Sequence, residues 1–380
     1  MADFGPATPI AAIPVEPGEF PEMALPARPA APPLPAMPSP GVAGHTRSIS
    51  MADIMRPDLG LGDLGGARMP APSILPGQIT KILSRSKNVD TLLAEAQACS
   101  EKDDNVGALQ RLLAVLRSKP DDADVHYQVG MLRGKLGDWR AAAASFDRAL
   151  ELDPANLDYR EYRGWAALRF ADYESAERDF SARIDVEPEN LVALKGRATA
   201  RMGLEHNEDA IADLDAAIAI IPRNADLFFL RGNAKRMDRQ FKAAIADYDQ
   251  VLSLRNTHGK ALLNRGLCRL AMSDTRGALA DFDEATRTDV DLHEATLQRG
   301  KAYLNLLQYK EATADFSAYL ALRPDQTETY YFRGKARSGA GDNIGAVDDF
   351  QAFLRHNPTS KRRKMLEKFI SQNAKAKKAS

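Results

Sequence analysis

Six times along the chain an arginine is followed sixteen residues later by an aspartate: Arg163 and Asp179, Arg197 and Asp213, Arg231 and Asp247, Arg265 and Asp281, Arg299 and Asp315, Arg333 and Asp349. Guanidinium and carboxylate match in shape and charge, so each pair is equipped for two parallel charge-assisted hydrogen bonds. Two further occurrences of the same positions vary jointly. Glu95 with Arg111 reverses the signs, and Val129 with Ser145 removes both charges. Joint variation predicts that the two side chains meet, most simply inside one helical hairpin, with a structural role.

Residues suited to catalysis do not assemble in the same way. The six histidines are His45, His126, His206, His258, His293 and His356, and no two recur at metal-ligand spacing. Cys99 and Cys268 stand where small packing residues are expected, which favours buried, inert thiols over reactive ones. Their separation argues against a disulfide within the chain and suits a reducing compartment. There is no P-loop, no Gly-rich dinucleotide motif and no HExxH. The expectation is a protein that is not an enzyme, with no metal and no cofactor.

What positions the Arg–Asp pairs is a repeat. Ala108, Ala142, Ala176, Ala210, Ala244, Ala278, Ala312 and Ala346 lie 34 residues apart without insertion or deletion. Twelve residues before each comes Ala or Gly, from Ala96 and Gly130 to Gly334, and four after each comes a large apolar residue, from Leu112 and Phe146 to Phe350. A fixed period of this size signals a solenoid. Eight periods fit: 89–122, 123–156, 157–190, 191–224, 225–258, 259–292, 293–326 and 327–360.

Within a period the pattern is helix, tight turn, helix, turn. In 123–156 the first helix spans about Asp124 to Leu136 and ends at Gly137, while Asp138 caps a second helix to about Leu152. The six late prolines, Pro120, Pro154, Pro188, Pro222, Pro324 and Pro358, all fall in one slot of the 34, as expected of a residue that cannot continue a helix. The small residues let two helices approach closely, and the aromatic after each Ala is expected to fill space towards the neighbouring hairpin. One hairpin cannot bury its own apolar face, so stacking supplies the stability.

These residues resemble the tetratricopeptide repeat (TPR) family, with small residues at positions 8 and 20, a large apolar one at 24 and proline at 32. The resemblance covers 89–360. It implies an all-α fold, a right-handed superhelix of helical hairpins whose concave groove holds a peptide or a partner's helix. Asn256 and Val290 replace the proline in two periods, so looser turns are expected there. Arg183, Tyr319 and Phe353 occupy position 27, usually small, which puts local packing in question.

Positions 2, 5, 9, 12 and 13 of the first helix face the groove in this family. The partner-binding residues it implies are Tyr127, Lys195, Phe229 and Tyr331 at position 5, Trp165, Asn233, Lys301 and Lys335 at position 9, and Arg236 at position 12. Position 2 is acidic in six periods (Asp90, Asp124, Asp158, Asp226, Glu294, Glu328), and Lys135, Arg169 and Arg236 lie at the other end of their helices. That gives either two rims of opposite charge or plain complements of the helix dipole. Asn233 and Asn264 match part of the carboxylate clamp of chaperone-binding members. Phe229, Glu294 and Gln298 stand where the clamp needs cations, which disfavours that function.

The flanks differ from the array. Sixteen of the 22 prolines lie in the first 76 residues, too poor in apolar surface to order, so 1–76 is expected to be a disordered leader. It holds a Pro-rich stretch (31–35), an Arg47-Ser48-Ile49-Ser50 kinase-type motif, and Met51, whose sequence echoes Met1 and raises an alternative start. A short lead-in helix is expected over 77–88, a capping helix with Met365, Leu366, Phe369 and Ile370 on one stripe over 361–373, and a basic tail over 374–380. Residues 361–380 carry a net +7 and the array about −5, so nucleic acid or anionic membrane is a partner for the tail alone. No apolar run is long enough to span a bilayer and no signal peptide is evident, so a cytoplasmic location is expected. The leading expectation is a non-enzymatic scaffold binding a partner protein in the groove. The alternatives are a co-chaperone holding apolar segments and association through the basic tail.

Overall fold

In the computed structural model the described residues are 89–377, with side chains through Asn373. The leader 1–76 with its Pro-rich stretch, phosphorylation motif and Met51, the lead-in segment 77–88, and the side chains of 374–380 lie outside them. The described residues form α-helices joined by short turns: α1 Val89–Glu101, α2 Asn105–Ser118, α3 Ala123–Lys135, α4 Trp139–Leu152, α5 Leu157–Arg169, α6 Tyr173–Val186, α7 Leu191–Gly203, α8 Asn207–Ile220, α9 Ala225–Met237, α10 Phe241–Leu254, α11 Gly259–Ala271, α12 Thr275–Thr288, α13 His293–Asn305, α14 Tyr309–Leu322, α15 Thr327–Gly339, α16 Asn343–His356 and α17 Arg363–Lys377. Two compact units divide at His206 and Asn207, one holding α1–α7 and the other α8–α17.

Every period has the same frame, a first helix of 13 residues and a second of 14. The reason is visible in α3 and α4. A Cβ on Gly130 would stand 2.6 Å from the ring of Phe146, so the missing side chain is the space the ring fills. Phe146 and Ala142 are both 0% exposed, and burying such a ring contributes roughly 2 kcal/mol. The aromatic thus closes first upon the glycine of its own hairpin, not solely upon the next hairpin as expected. Phe180 does both, lying against Gly164 and, in the following hairpin, Gly196.

The hairpin turn has a fixed backbone. The residue at position 15 is left-handed in every period: Asp103, Gly137, Ala171, Glu205, Arg239, Ser273, Leu307 and Gly341 all have φ between 58° and 89°. The following residue caps the second helix where its side chain permits. Asp104, Asp138, Asp172, Asp274 and Asp342 each accept from the backbone N–H three residues on, whereas Gln240 and Gln308 make no such bond.

Two expected weak points are absent. α10 and α12, followed by Asn256 and Val290 where others have proline, end at the same position of the period as α4 and α6. Their last carbonyls are met by the N–H groups of Arg255 (2.8 Å, to Val251) and Asp289 (3.0 Å, to Ala285). Position 27 is accommodated too: Phe353 and Tyr319 are buried, and Arg183 bonds Asp158 at 2.7 Å.

After the last hairpin, α17 begins at Arg363 and continues to Lys377, two residues later at its start and four later at its end than expected. Leu366 is fully buried, Phe369 meets Phe350 edge-on at 5.2 Å, and Met365 and Ile370 pack on the same cluster. The apolar stripe covers the open face of α16.

Candidate partner-binding face

The first helices form the site's wall. Within each unit the first helices of adjacent hairpins meet directly, α3 with α5, α5 with α7, α9 with α11 and α11 with α13, while among the described residues the second helices of adjacent hairpins stay further apart. A stack that is closer on one side is concave there.

The Arg–Asp pairs stabilise this wall and are not part of its surface. Arg163 donates from Nε (2.7 Å) and Nη2 (2.5 Å) to the two oxygens of Asp179, which is 2% exposed. The same fork joins Arg231 to Asp247, Arg265 to Asp281, Arg299 to Asp315 and Arg333 to Asp349. Glu95 and Arg111 meet at 3.7 Å with signs reversed. Arg197 and Asp213 belong to different units.

Two more participants escaped the sequence reading. The arginine's third nitrogen reaches back to the preceding hairpin, to Asp147, Asp215, Asp249 or Asp283. A second cation at position 11 joins the buried aspartate, Lys235 on Asp247 (2.9 Å), Arg269 on Asp281 (2.8 Å) and Arg337 on Asp349 (3.0 Å). Where Val129 and Ser145 carry no charge, Arg133 of position 11 donates to the Ser145 hydroxyl at 2.7 Å.

In the α1–α7 unit the implied site residues are largely packed. Tyr127 is half-buried, with ring centroids of Tyr159 at 5.0 Å, Tyr162 at 5.3 Å and Phe146 at 5.8 Å. Burial, then the Tyr162 hydroxyl, pushes its own hydroxyl above the usual tyrosine range. Trp165 is 4% exposed and set edge-on to Phe180, so it offers no open face. Lys195 is half-buried on α7. Beside them is a residue that the sequence reading did not single out. Burial pushes the Glu161 carboxyl to about 7, although Arg183 lies 3.7 Å away and pulls it down.

The α8–α17 unit gathers the other residues. Phe229 packs on His258 (4.9 Å) and Tyr248 (6.1 Å). Asn233 Oδ1 accepts from Tyr248 Oη and from Asn264 Nδ2, each at 2.8 Å. Arg236 lies beside that tyrosine, with its Nε buried and without an acceptor. Lys301 is half-buried with its Nζ 5.3 Å from the centre of the Phe332 ring, and burial lowers its pKa. Tyr331 is 4% exposed. Lys335 stands at 5.7 Å and Arg362 at 4.3 Å from its ring, and Arg362 bonds Glu328 at 2.9 Å. A residue beyond the last repeat therefore closes the groove over Tyr331.

The acidic rim is largely spent within the protein. Asp124 accepts from Tyr159, Asp158 from Arg183, Asp226 from Arg255, Glu294 from Gln298 and Glu328 from Arg362. The basic segment is partly spent too, since Arg363 bonds Glu367 and the Pro358 carbonyl. Cys268 is buried and Cys99 half-buried, both free, and burial pushes the Cys268 thiol up to about 12. Among the described residues no group of His, Cys, Asp or Glu is arranged to hold a metal, and no helix is long and apolar enough to cross a membrane.

Comparison with known proteins follows this geometry. Tetratricopeptide repeat family models match residues 123–156 and 195–259. A tetratricopeptide repeat protein from Parabacteroides merdae superposes with a TM-score of 0.55 at 18% identity, over 65% of this chain and 98% of that one. The APC/C hetero-tetramer Cut9-Hcn1 gives 0.50 at 16% identity, over 78% of this chain and 57% of that one. No curated protein sequence matches. At these identities the structures establish the fold alone.

Proposed function

Because the chain is a tetratricopeptide repeat protein, we propose that it is a non-enzymatic scaffold that holds an extended or helical segment of a partner protein on the face lined by its first helices. The fold supports a role in protein interaction in general. The observation that carries the finer reading is Lys301. It keeps an ammonium half-buried over the Phe332 ring without an ion-pair partner among the described residues, whereas the forked arginines of the same unit are all neutralised by aspartates. A cation held dry beside an aromatic ring suits recognition of a polar peptide group.

The co-chaperone reading needs open aromatic faces, and the burial of Trp165 and Tyr331 weighs against it. The tail reading is weakened by the engagement of Arg362 and Arg363 within the protein. Two free thiols suit a reducing compartment such as the cytoplasm.

The test is an affinity pull-down with wild type beside the double variant Lys301→Glu, Lys335→Glu, at low and moderate salt. Partners that wild type keeps at moderate salt and the variant loses support the groove. Recovery of the same partners by both removes it. Loss of all partners on adding salt, or on deleting 361–380, points to the tail instead.

A further inference from the structure

Arg236 breaks the pairing rule that governs its unit. Arg231, Arg265, Arg299 and Arg333, and the position-11 cations Lys235, Arg269 and Arg337, each hold a carboxylate. Arg236, the neighbour of Lys235 on α9, holds none among the described residues, and its Nε is buried with no acceptor. Its surroundings are neutral. The Tyr248 hydroxyl and the Cys268 thiol lie beside it, and burial keeps both protonated. His258, near Phe229, is pushed towards its uncharged form by burial and by Arg255.

One turn earlier on the same face of α9 stands Asn233. Its Oδ1 accepts from both Tyr248 and Asn264, which fixes the orientation of the amide. The Nδ2 therefore carries two N–H donors that no protein acceptor takes among the described residues. A guanidinium and an oriented amide, three residues apart, form a set of donors with a positive charge and no anion. Phe229, one turn further back, supplies an apolar wall.

We propose that Arg236 and Asn233 receive a carboxylate of the segment bound in the groove. The inference rests on the groove reading and adds the chemical class its ligand must carry. A planar group with two oxygens suits the fork of Arg236, and the bound anion supplies the partner the buried charge lacks. The carboxylate has two sources, a chain terminus or an Asp or Glu side chain.

The full-length protein is passed over three immobilised pools of random decapeptides: free C-terminus without acidic residues, amidated with one glutamate, and amidated without acidic residues. Two variants accompany it. Arg236→Met removes the charge. Asn233→Asp places a carboxylate beside Arg236 in advance, and is expected to raise the urea midpoint while blocking the site. Wild type is expected to retain one of the carboxylate pools about tenfold better than the acid-free amidated pool, and both variants to bring that ratio near one. Which carboxylate pool is retained identifies the source. Equal retention of all three pools by wild type, or an unchanged ratio in both variants, overturns the site and leaves the groove reading standing. Failure to retain any pool overturns both.

Discussion

Arg231 holds Asp247 by two parallel hydrogen bonds, from Nε at 2.9 Å and Nη2 at 2.6 Å, across the two helices of one hairpin. Asp247 also takes Lys235 at 2.9 Å, and Arg231 also takes Asp215 of the preceding hairpin at 2.6 Å. Asp247→Asn therefore leaves two half-buried cations short of a carboxylate and should cost about 3 kcal/mol in urea unfolding. Exchanging Arg231 and Asp247 should not rescue that loss, since the swap sets arginine beside Lys235 and aspartate beside Asp215. The naturally reversed pair obeys this rule: around Glu95 and Arg111, positions 11 and 25 are Cys99 and Leu113, both uncharged. A swap as stable as wild type would show that the flanking charges do not couple.

Leu307 adopts φ 59° with its side chain 59% exposed. A left-handed backbone costs a branched residue about 1 kcal/mol and costs glycine little. Leu307→Gly should then raise stability by about 0.5 kcal/mol after the unfolded-state entropy of glycine is subtracted. The mirror experiment is Gly137→Ala at φ 82°, which should lower stability by about 1 kcal/mol although no atom lies within 4 Å of the new Cβ. Paired thermal melts check both. The same sign for both substitutions would mean that φ does not set the effect.

Gln308 stands at the N-cap of α14 and makes no capping bond with its side chain. Asp104, Asp138, Asp172, Asp274 and Asp342 fill the equivalent place with one. Gln308→Asp is expected to stabilise by about 1 kcal/mol, because a short carboxylate reaches the N–H of the first turn and complements the dipole. Chemical denaturation of the two proteins in parallel decides it, and an unchanged midpoint would count against the cap.

Much of this architecture is readable from side-chain size. The alanines at position 20, the glycines at 8 and the aromatics at 24 are three faces of one packing constraint, and Gly130 with Phe146 shows it directly. The Arg–Asp pairs were readable because one period reversed the charges. Their wider network was missed although Asp215 precedes Arg231 by the same sixteen residues by which Asp247 follows it. The left-handed turn left no signal. Asp103, Ala171, Glu205, Arg239, Ser273 and Leu307 share no chemistry, because the geometry of the hairpin, not the residue, imposes φ. For the site, register assigned positions to a face but could not say what else stood there. Tyr331 lies on the predicted face and is covered by Arg362, a residue outside the repeats.

Glu161 makes stability depend on pH. Its carboxyl is raised from 4.5 to about 7, chiefly by burial, with Asp158 and Glu187 adding to the rise and Arg183 opposing it. A raised folded-state value means that the native state binds the proton more tightly than the unfolded chain does. The resulting stabilisation is complete below about 4.5 and is lost as pH rises through about 7. Glu161→Gln keeps the shape of the neutral acid without its titration. Between pH 5 and pH 8 the variant should gain on wild type by about 2 kcal/mol. Urea midpoints of both proteins across that range measure the gain, and a difference that stays constant with pH would place the Glu161 carboxyl at its ordinary value.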